Sequence, residues 1–352
     1  MNQLDRYVMK HVLALSGIVA LGLVTIYTLV VFVSDINESG KGSYGIWQVL
    51  QYSLLMVPSS LYILMPIIAL LGTLMGVGVL ARSAELTAMR ASGVSLVRIG
   101  AATLAAGLLL GGFGFVLGDW LAPAGERAAT NLRDDARGER GGLEHSLWLR
   151  DADTIVRIGQ LDTEDQARNV NLYQMTPEGR LAEVSSAERA HYDGGHWQLN
   201  GVKRSHFDGD AVHADQVDTL QVDSGISPNV LRLFILEADN LSVRGLSRLV
   251  AYMDENHLDA TKYRIWLWRK LVEPLTIMAM MLFAVPFVVG TLRDAGAGQR
   301  LLAGVLIGIV FYVCNKVSVS VGDLYQWPAP IAAGLPTAVL AAVAVWRLRR
   351  AN

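Results

Sequence analysis

The chain has 352 residues, 52% of them hydrophobic and 18% charged, with a formal net charge of −2. That is too apolar for a water-soluble protein of this length and indicates a membrane protein with a soluble part. Its one cysteine, Cys314, excludes an intrachain disulfide and a zinc site built from cysteines.

Residues 1–11 are polar, with Arg6 and Lys10, and residues 12–33 carry no charge over a length that spans a bilayer. This run is longer than a usual signal core and no small-x-small site follows, so it reads as a retained first helix rather than a cleaved signal peptide. Residues 34–57 are expected as an outer loop with Asp35, Glu38, Lys41 and Trp47. The second span, about 60–81, enters at Pro58 and contains Pro66. A charged island follows. Ser83 as N-cap, Glu85 at the positive end of the dipole and Gly93 as stop predict a short helix over about 83–92. Glu85, Leu86, Met89 and Arg90 lie on it, and Met89 neighbours Glu85 and Leu86 on the helix surface. A stiff helix with one acid beside apolar knobs suits a permease pushed by a soluble partner. The competing reading is a loop that merely needs polar residues. The third span covers about 99–120 and ends in Asp119 and Trp120.

From Glu126 to Lys262 the composition turns polar. Ile155–Ile158, Val170–Tyr173, His196–Leu199 and Leu220–Val222 read as strands. Pro177-Glu178-Gly179, Asp193-Gly194-Gly195, Asn200-Gly201 and Asp208-Gly209 read as their turns. Many short strands at this spacing suggest a sandwich or jelly roll. Ser242 then caps a helical connector. Three more spans follow, at about 263–292, 301–321 and 329–346, the second containing Lys316.

The fold class is therefore an α-helical membrane protein with six transmembrane helices, three before and three after an inserted β domain. The segments are 1–125, 126–262 and 263–352. One side's short loops hold Arg6, Lys10, Arg82, Arg90, Arg98, Arg293, Arg300, Arg347, Arg349 and Arg350. The positive-inside rule places both termini and the island in the cytoplasm and the β domain outside. The pairs Gly72/Gly76, Gly107/Gly111, Gly114/Gly118 and Gly304/Gly308 favour close helix packing, against this chain or a partner subunit.

No enzyme site is visible: there is no P-loop, no His-Glu-x-x-His and no Gly-x-Ser-x-Gly. No metal site is expected, since His191 and His196 read as solvated surface residues. Charges near the spans say more, because lipid makes them costly. Arg127 and Arg133 form a cation cluster just beyond the third span, which suits a phosphate-bearing amphiphile. Lys41 and Lys316 are further candidates, Lys316 for a cavity-facing role.

These residues resemble the LptF/LptG family of lipopolysaccharide-export permeases. The three-plus-domain-plus-three layout agrees over the whole length. So do Leu4-Asp5-Arg6-Tyr7, Ser83 to Leu86, Ala91-Ser92-Gly93, and Gly118-Asp119-Trp120-Leu121-Ala122-Pro123. Trp268, Lys270, Pro274, Met280-Met281-Leu282, Phe287, Gly290 and Phe311-Tyr312 also fit. The resemblance implies a periplasmic β jelly roll on a bacterial inner-membrane protein. It implies a permease of an ABC transporter that extracts lipopolysaccharide and passes it to a periplasmic bridge toward the outer membrane. The implied partners are an LptF-like paralogous permease, an LptB-like ATPase dimer, an LptC-like bitopic protein, lipopolysaccharide and membrane lipid, with no nucleic acid. No cofactor is implied in this chain, ATP being bound by the ATPase. Glu85, Leu86, Met89 and Arg90 would couple to that ATPase, and Arg133, Arg127, Lys41 and Lys316 would contact substrate. Competing readings are an ABC permease for another envelope lipid or lipoprotein, and a non-transporting sensor or scaffold.

Overall fold

The computed structural model describes residues 3–138, 147–151, 153–163, 165–176, 179–208, 211–223, 231, 241–290 and 296–350. Arg293 and the turn residues Pro177, Glu178 and Gly209 named above lie outside them. In chain order come α1 (Gln3–Ile36), α2 (Ile46–Leu55), α3 (Val57–Arg82), α4 (Glu85–Ala91), α5 (Leu96–Val116), a π-helical turn (Leu117–Leu121) and α6 (Ala122–Arg137). Six strands follow: β1 (Leu147–Asp151), β2 (Thr154–Thr163), β3 (Gln166–Met175), β4 (Leu181–Asp193), β5 (His196–Asp208) and β6 (Ala211–Asp223). Last are α7 (Val243–Glu255), α8 (Thr261–Val289), α9 (Ala297–Leu324) and α10 (Ala329–Arg350).

Two compact units result: Met1–Arg133 with Thr261–Asn352, and Asp134–Ala260. The second begins later than the composition change at Glu126 suggests. Nothing between Glu126 and Arg137 breaks a helix, so α6 runs on from the third span beyond the π-helical turn.

In the helical unit, six helices among the described residues are long and apolar enough to cross a membrane: α1, α3, the α5–α6 run, α8, α9 and α10. α3 and α8 form the centre, and their Met65, Leu70, Leu71, Leu74, Ile277 and Met280 are fully or almost fully buried. The glycine pairs bring helices together within this chain. A Cβ on Gly76 would lie 2.8 Å from the Val12 Cα, and one on Gly72 2.5 Å from the Ser16 Cα, so α1 rests directly on α3. Gly107 and Gly111 face Met278 and Pro274 of α8, and Gly304 and Gly308 face Leu71 and Ile67 of α3. Small side chains let backbones approach closely, and here dispersion inside one subunit uses that space. A hydroxyl pair, Thr276 Oγ1 to Thr337 Oγ1 at 2.8 Å, fastens α8 to α10.

The stretch expected as an outer loop contains α2. Its Ile46, Trp47, Leu50 and Leu54 are exposed while Val49 and Ser53 are buried. One apolar side turned outward suits a helix lying at a membrane interface.

The β unit, among the described residues, is one antiparallel sheet in the order β1-β2-β3-β4-β5-β6. Val170, Ala187, Val202 and Val217 stand opposite one another across β3 to β6 and make an apolar row on one face. Asp193 pairs with His196 across a two-residue turn, Gly194-Gly195, with φ of +58° and +120°. Such a turn needs positive φ at both positions, which glycine supplies at no steric cost. Asn200-Gly201 is not a turn. Gly201, at φ +66°, lies inside β5, and pairing resumes on both sides of it. The ladder bonds to two neighbouring strands outweigh the local preference of an Asn-Gly step. Ser242 caps α7 by accepting from the Gly245 N–H at 3.1 Å, and the Tyr252 hydroxyl donates to the Arg150 carbonyl of β1 at 2.9 Å.

Candidate functional site

Two places in the helical unit gather the residues singled out above, one at each end of α3. The first is α4. Ser83 does not cap it: the Ser83 hydroxyl donates back to the Val79 and Leu80 carbonyls at 3.2 and 3.3 Å and closes the end of α3. Ala84, at φ +58°, makes the corner, and α4 starts at Glu85. The far end is a Schellman arrangement, with the Val94 N–H on the Met89 carbonyl and the Gly93 N–H on the Arg90 carbonyl, both at 3.0 Å. Gly93, at φ +89°, occupies the left-handed position. Ser95 then caps α5 through the Arg98 N–H at 3.3 Å. A seven-residue helix is too short to persist by itself, so its termini and its packing hold it.

That packing runs through Leu86, which is 4% exposed and part of the central hydrophobic cluster. Leu86 therefore anchors α4 to this chain. The reason is the turn at Ala84, which swings one face of α4 back onto the bundle. Glu85 and Met89 are half-buried, and Thr87, Ala88 and Arg90 are exposed. The Tyr7 hydroxyl lies in hydrogen-bonding reach of the Glu85 carboxylate. The remaining surface is one acid beside a thioether at helical spacing.

The second place lies where α1, α2 and α6 meet. Asp35, at the end of α1, is 7% exposed, and its carboxylate accepts from the Tyr44 hydroxyl. Burial, together with the Asp35 carboxylate, pushes the Tyr44 hydroxyl above its ordinary range. Arg133 of α6 places its guanidinium 3.6 Å from the other Asp35 oxygen and 5.1 Å from the centre of the Tyr52 ring. A buried carboxylate costs several kcal/mol unless compensated, and here one hydroxyl and one guanidinium do so. Arg133 keeps donor capacity, since its buried Nε has no partner among the described residues.

The structure groups the other proposed substrate residues less tightly. Arg127, on the same helix, donates from Nε to the Pro123 carbonyl at 2.9 Å. Lys41 pairs with Glu38 at 2.7 Å, both exposed, and such a pair contributes about 0–1 kcal/mol. Lys316 stands apart on the exposed side of α9. Asp35, Tyr44 and Tyr52 were missed as a set. They are scattered in sequence, and only the return of α2 across the end of α1 unites them. Chemically, the cluster is a half-open guanidinium in an aromatic setting, which can bind an oxyanion. Among the described residues no group of side chains could hold a metal ion.

The family model described as lipopolysaccharide export system permease LptF/LptG matches residues 6–350. The chain is 32% identical to the lipopolysaccharide export system permease protein LptG of Escherichia coli (strain K12), covering 99% of this chain and 98% of that protein. It is 28% identical to the protein of the same description from Haemophilus influenzae, covering 99% of each.

Proposed function

The chain belongs to the lipopolysaccharide export system permease family LptF/LptG, and on that premise we propose that it is the membrane subunit through which an ATP-driven transporter lifts lipopolysaccharide out of the inner membrane. Lipid would pass from the helical unit to the outer β unit and on to a periplasmic bridge. ATP would be hydrolysed by a separate, LptB-like ATPase dimer. An LptF-like permease would stand beside this chain, and an LptC-like bitopic protein would receive the lipid. Both termini and α4 would face the cytoplasm and the β unit the periplasm, in line with the lysine and arginine distribution of the short loops.

The observation that carries this reading is α4. It is a short helix placed between two charge-free spans and clipped to the bundle by Leu86. Glu85 and Met89 remain available to a partner, and Arg90 is a further polar contact. A push received there reaches α3 and α5 directly, since α4 joins them. At the other end, Arg133 is the group we assign to a lipid phosphate, with Arg127 and Lys41 as outlying cations and Lys316 as a separate contact on α9. A phosphate competes with Asp35 for Arg133, and charge-assisted bonds of about 1.5–3 kcal/mol each favour the phosphate once two form.

The test is purification of the tagged chain from native membranes, with identification of the proteins and lipid that travel with it. Recovery of an ATPase subunit together with lipopolysaccharide is the expected result. A different lipid, or no ATPase, would refute the reading. Arg133→Glu should weaken photocrosslinking to the lipid about 10-fold or more, the equivalent of at least one charge-assisted bond.

A further inference from the structure

The third span does not pass straight into α6. Leu117–Leu121 forms a wide π-helical turn, and the sequence explains it. Residue 123 is proline and has no N–H, so the Asp119 carbonyl lacks its normal donor four residues on. The ladder shifts, and the Ala122 N–H donates to Leu117, five residues back. The Gly118 carbonyl then has neither backbone partner, since Ala122 is engaged elsewhere and Pro123 has nothing to donate.

Lys270 of α8 fills the gap. Its side chain is 5% exposed, and its Nζ donates to the Gly118 carbonyl at 2.9 Å. The same Nζ lies 5.5 Å from the centre of the Tyr62 ring of α3. Gly118 is required for this approach, because a Cβ there would overlap the Tyr62 ring. A lysine buried in a membrane span is costly, and a hydrogen-bonded carbonyl together with an aromatic face offsets the cost.

One extra residue in a turn rotates everything downstream by about 100° around the helix axis. The wide turn therefore decides which face of α6 meets α1 and α2. We propose that Lys270 is a positioning residue: by holding the wide turn at Gly118, it sets the rotation of α6 and so brings Arg133 to Asp35 and Tyr52. This deepens, and rests on, the assignment of Arg133 to lipid phosphate, although the rotation itself can be measured without lipid.

The experiment uses the assembled complex carrying Cys314→Ser, since Cys314 is exposed and would take a label. Spin labels go on Asn37→Cys and Thr130→Cys, both exposed, and the distance between them is measured by pulsed electron resonance. Lys270→Met keeps the length and removes the donor. With Pro123 still barring the normal turn, the loss should free α6 from a single rotation and broaden the distance distribution around the parent value. Pro123→Ala restores the missing N–H and should let the turn close, moving the distribution by roughly 8 Å, the chord swept by a turn of about 100° on a helix about 5–6 Å in radius. A distribution of unchanged width and position in an assembled Lys270→Met complex overturns the proposal. Should Lys270→Met fail to assemble, an unchanged distance in Pro123→Ala overturns it instead. If both variants change the distribution while Arg133→Glu leaves lipid crosslinking intact, the positioning role stands and the phosphate assignment falls.

Discussion

Glu85 offers the sharpest test of α4 as a coupling element, because the structure separates its role in this chain from its role in a complex. Within the chain its carboxylate interacts with the Tyr7 hydroxyl, at a site reached by water. Removing a hydrogen bond of that kind costs about 0.5–1.5 kcal/mol. Truncating one partner of a desolvated, hydrogen-bonded charge pair at an interface costs about 2–5 kcal/mol, and each 1.4 kcal/mol is tenfold in affinity. Glu85→Ala should therefore weaken recovery of the ATPase subunit by about 30-fold or more, while thermal unfolding of the isolated chain in detergent hardly changes. Glu85→Lys should do worse, since it sets a cation where the partner must supply one. Tyr7→Phe removes the internal hydrogen bond alone and should leave ATPase recovery within a few-fold of the parent. The assays are pull-down of the ATPase through the tagged permease, then export in a complementation strain. If Glu85→Lys assembles and exports normally, α4 is only a connecting loop. If Tyr7→Phe is as damaging as Glu85→Ala, the acid serves the fold and not the partner.

Leu86→Ala should act in the opposite way, destabilising the isolated chain by about 2–4 kcal/mol, because it opens a cavity in the central cluster; an unchanged unfolding temperature would show that α4 is not anchored there. Gly72→Ala should lower thermal stability markedly, since its Cβ would lie 2.5 Å from the Ser16 Cα, whereas Gly17→Ala, with open space around it, should be neutral or better. In the β unit the Arg204 guanidinium beside Asp215 holds that carboxyl below its ordinary value of 3.8. A lowered folded-state value means the pair contributes above that ordinary value and is lost as pH falls through the folded one. Unfolding of residues 134–260 expressed alone should give a strand-dominated circular dichroism signal. Its difference from Asp215→Asn should be constant near neutral pH and begin to shrink only as pH falls below the ordinary value of 3.8; a difference that shrinks well above that pH would refute the pairing.

The sequence by itself determined the membrane layout, because the bilayer imposes a simple requirement. Long uncharged runs must span, and charge must lie at their ends. It also determined local punctuation where one residue type has a conformational monopoly: Gly93 ending α4, Gly194-Gly195 joining β4 to β5, Ser242 starting α7. It could not rank the spans by burial. Lipid-facing and protein-facing helices are equally apolar, and only packing shows that α3 and α8 are central while α1 turns most of its surface outward. β4 also escaped notice. Ala182-Glu183-Val184-Ser185-Ser186-Ala187-Glu188 carries good helix formers, and the ladders to β3 and β5 overrode them. At α4 the sequence placed a helix, but the left-handed corner at Ala84 decided that Leu86 turns inward while Glu85 and Met89 stay half-buried at the surface. At the opposite end it supplied Arg133, yet the groups that tune it, Asp35, Tyr44 and Tyr52, belong to other elements. Their meeting depends on how α2 folds back and how the wide turn before Pro123 rotates α6, which is a property of the packed bundle and not of any one segment.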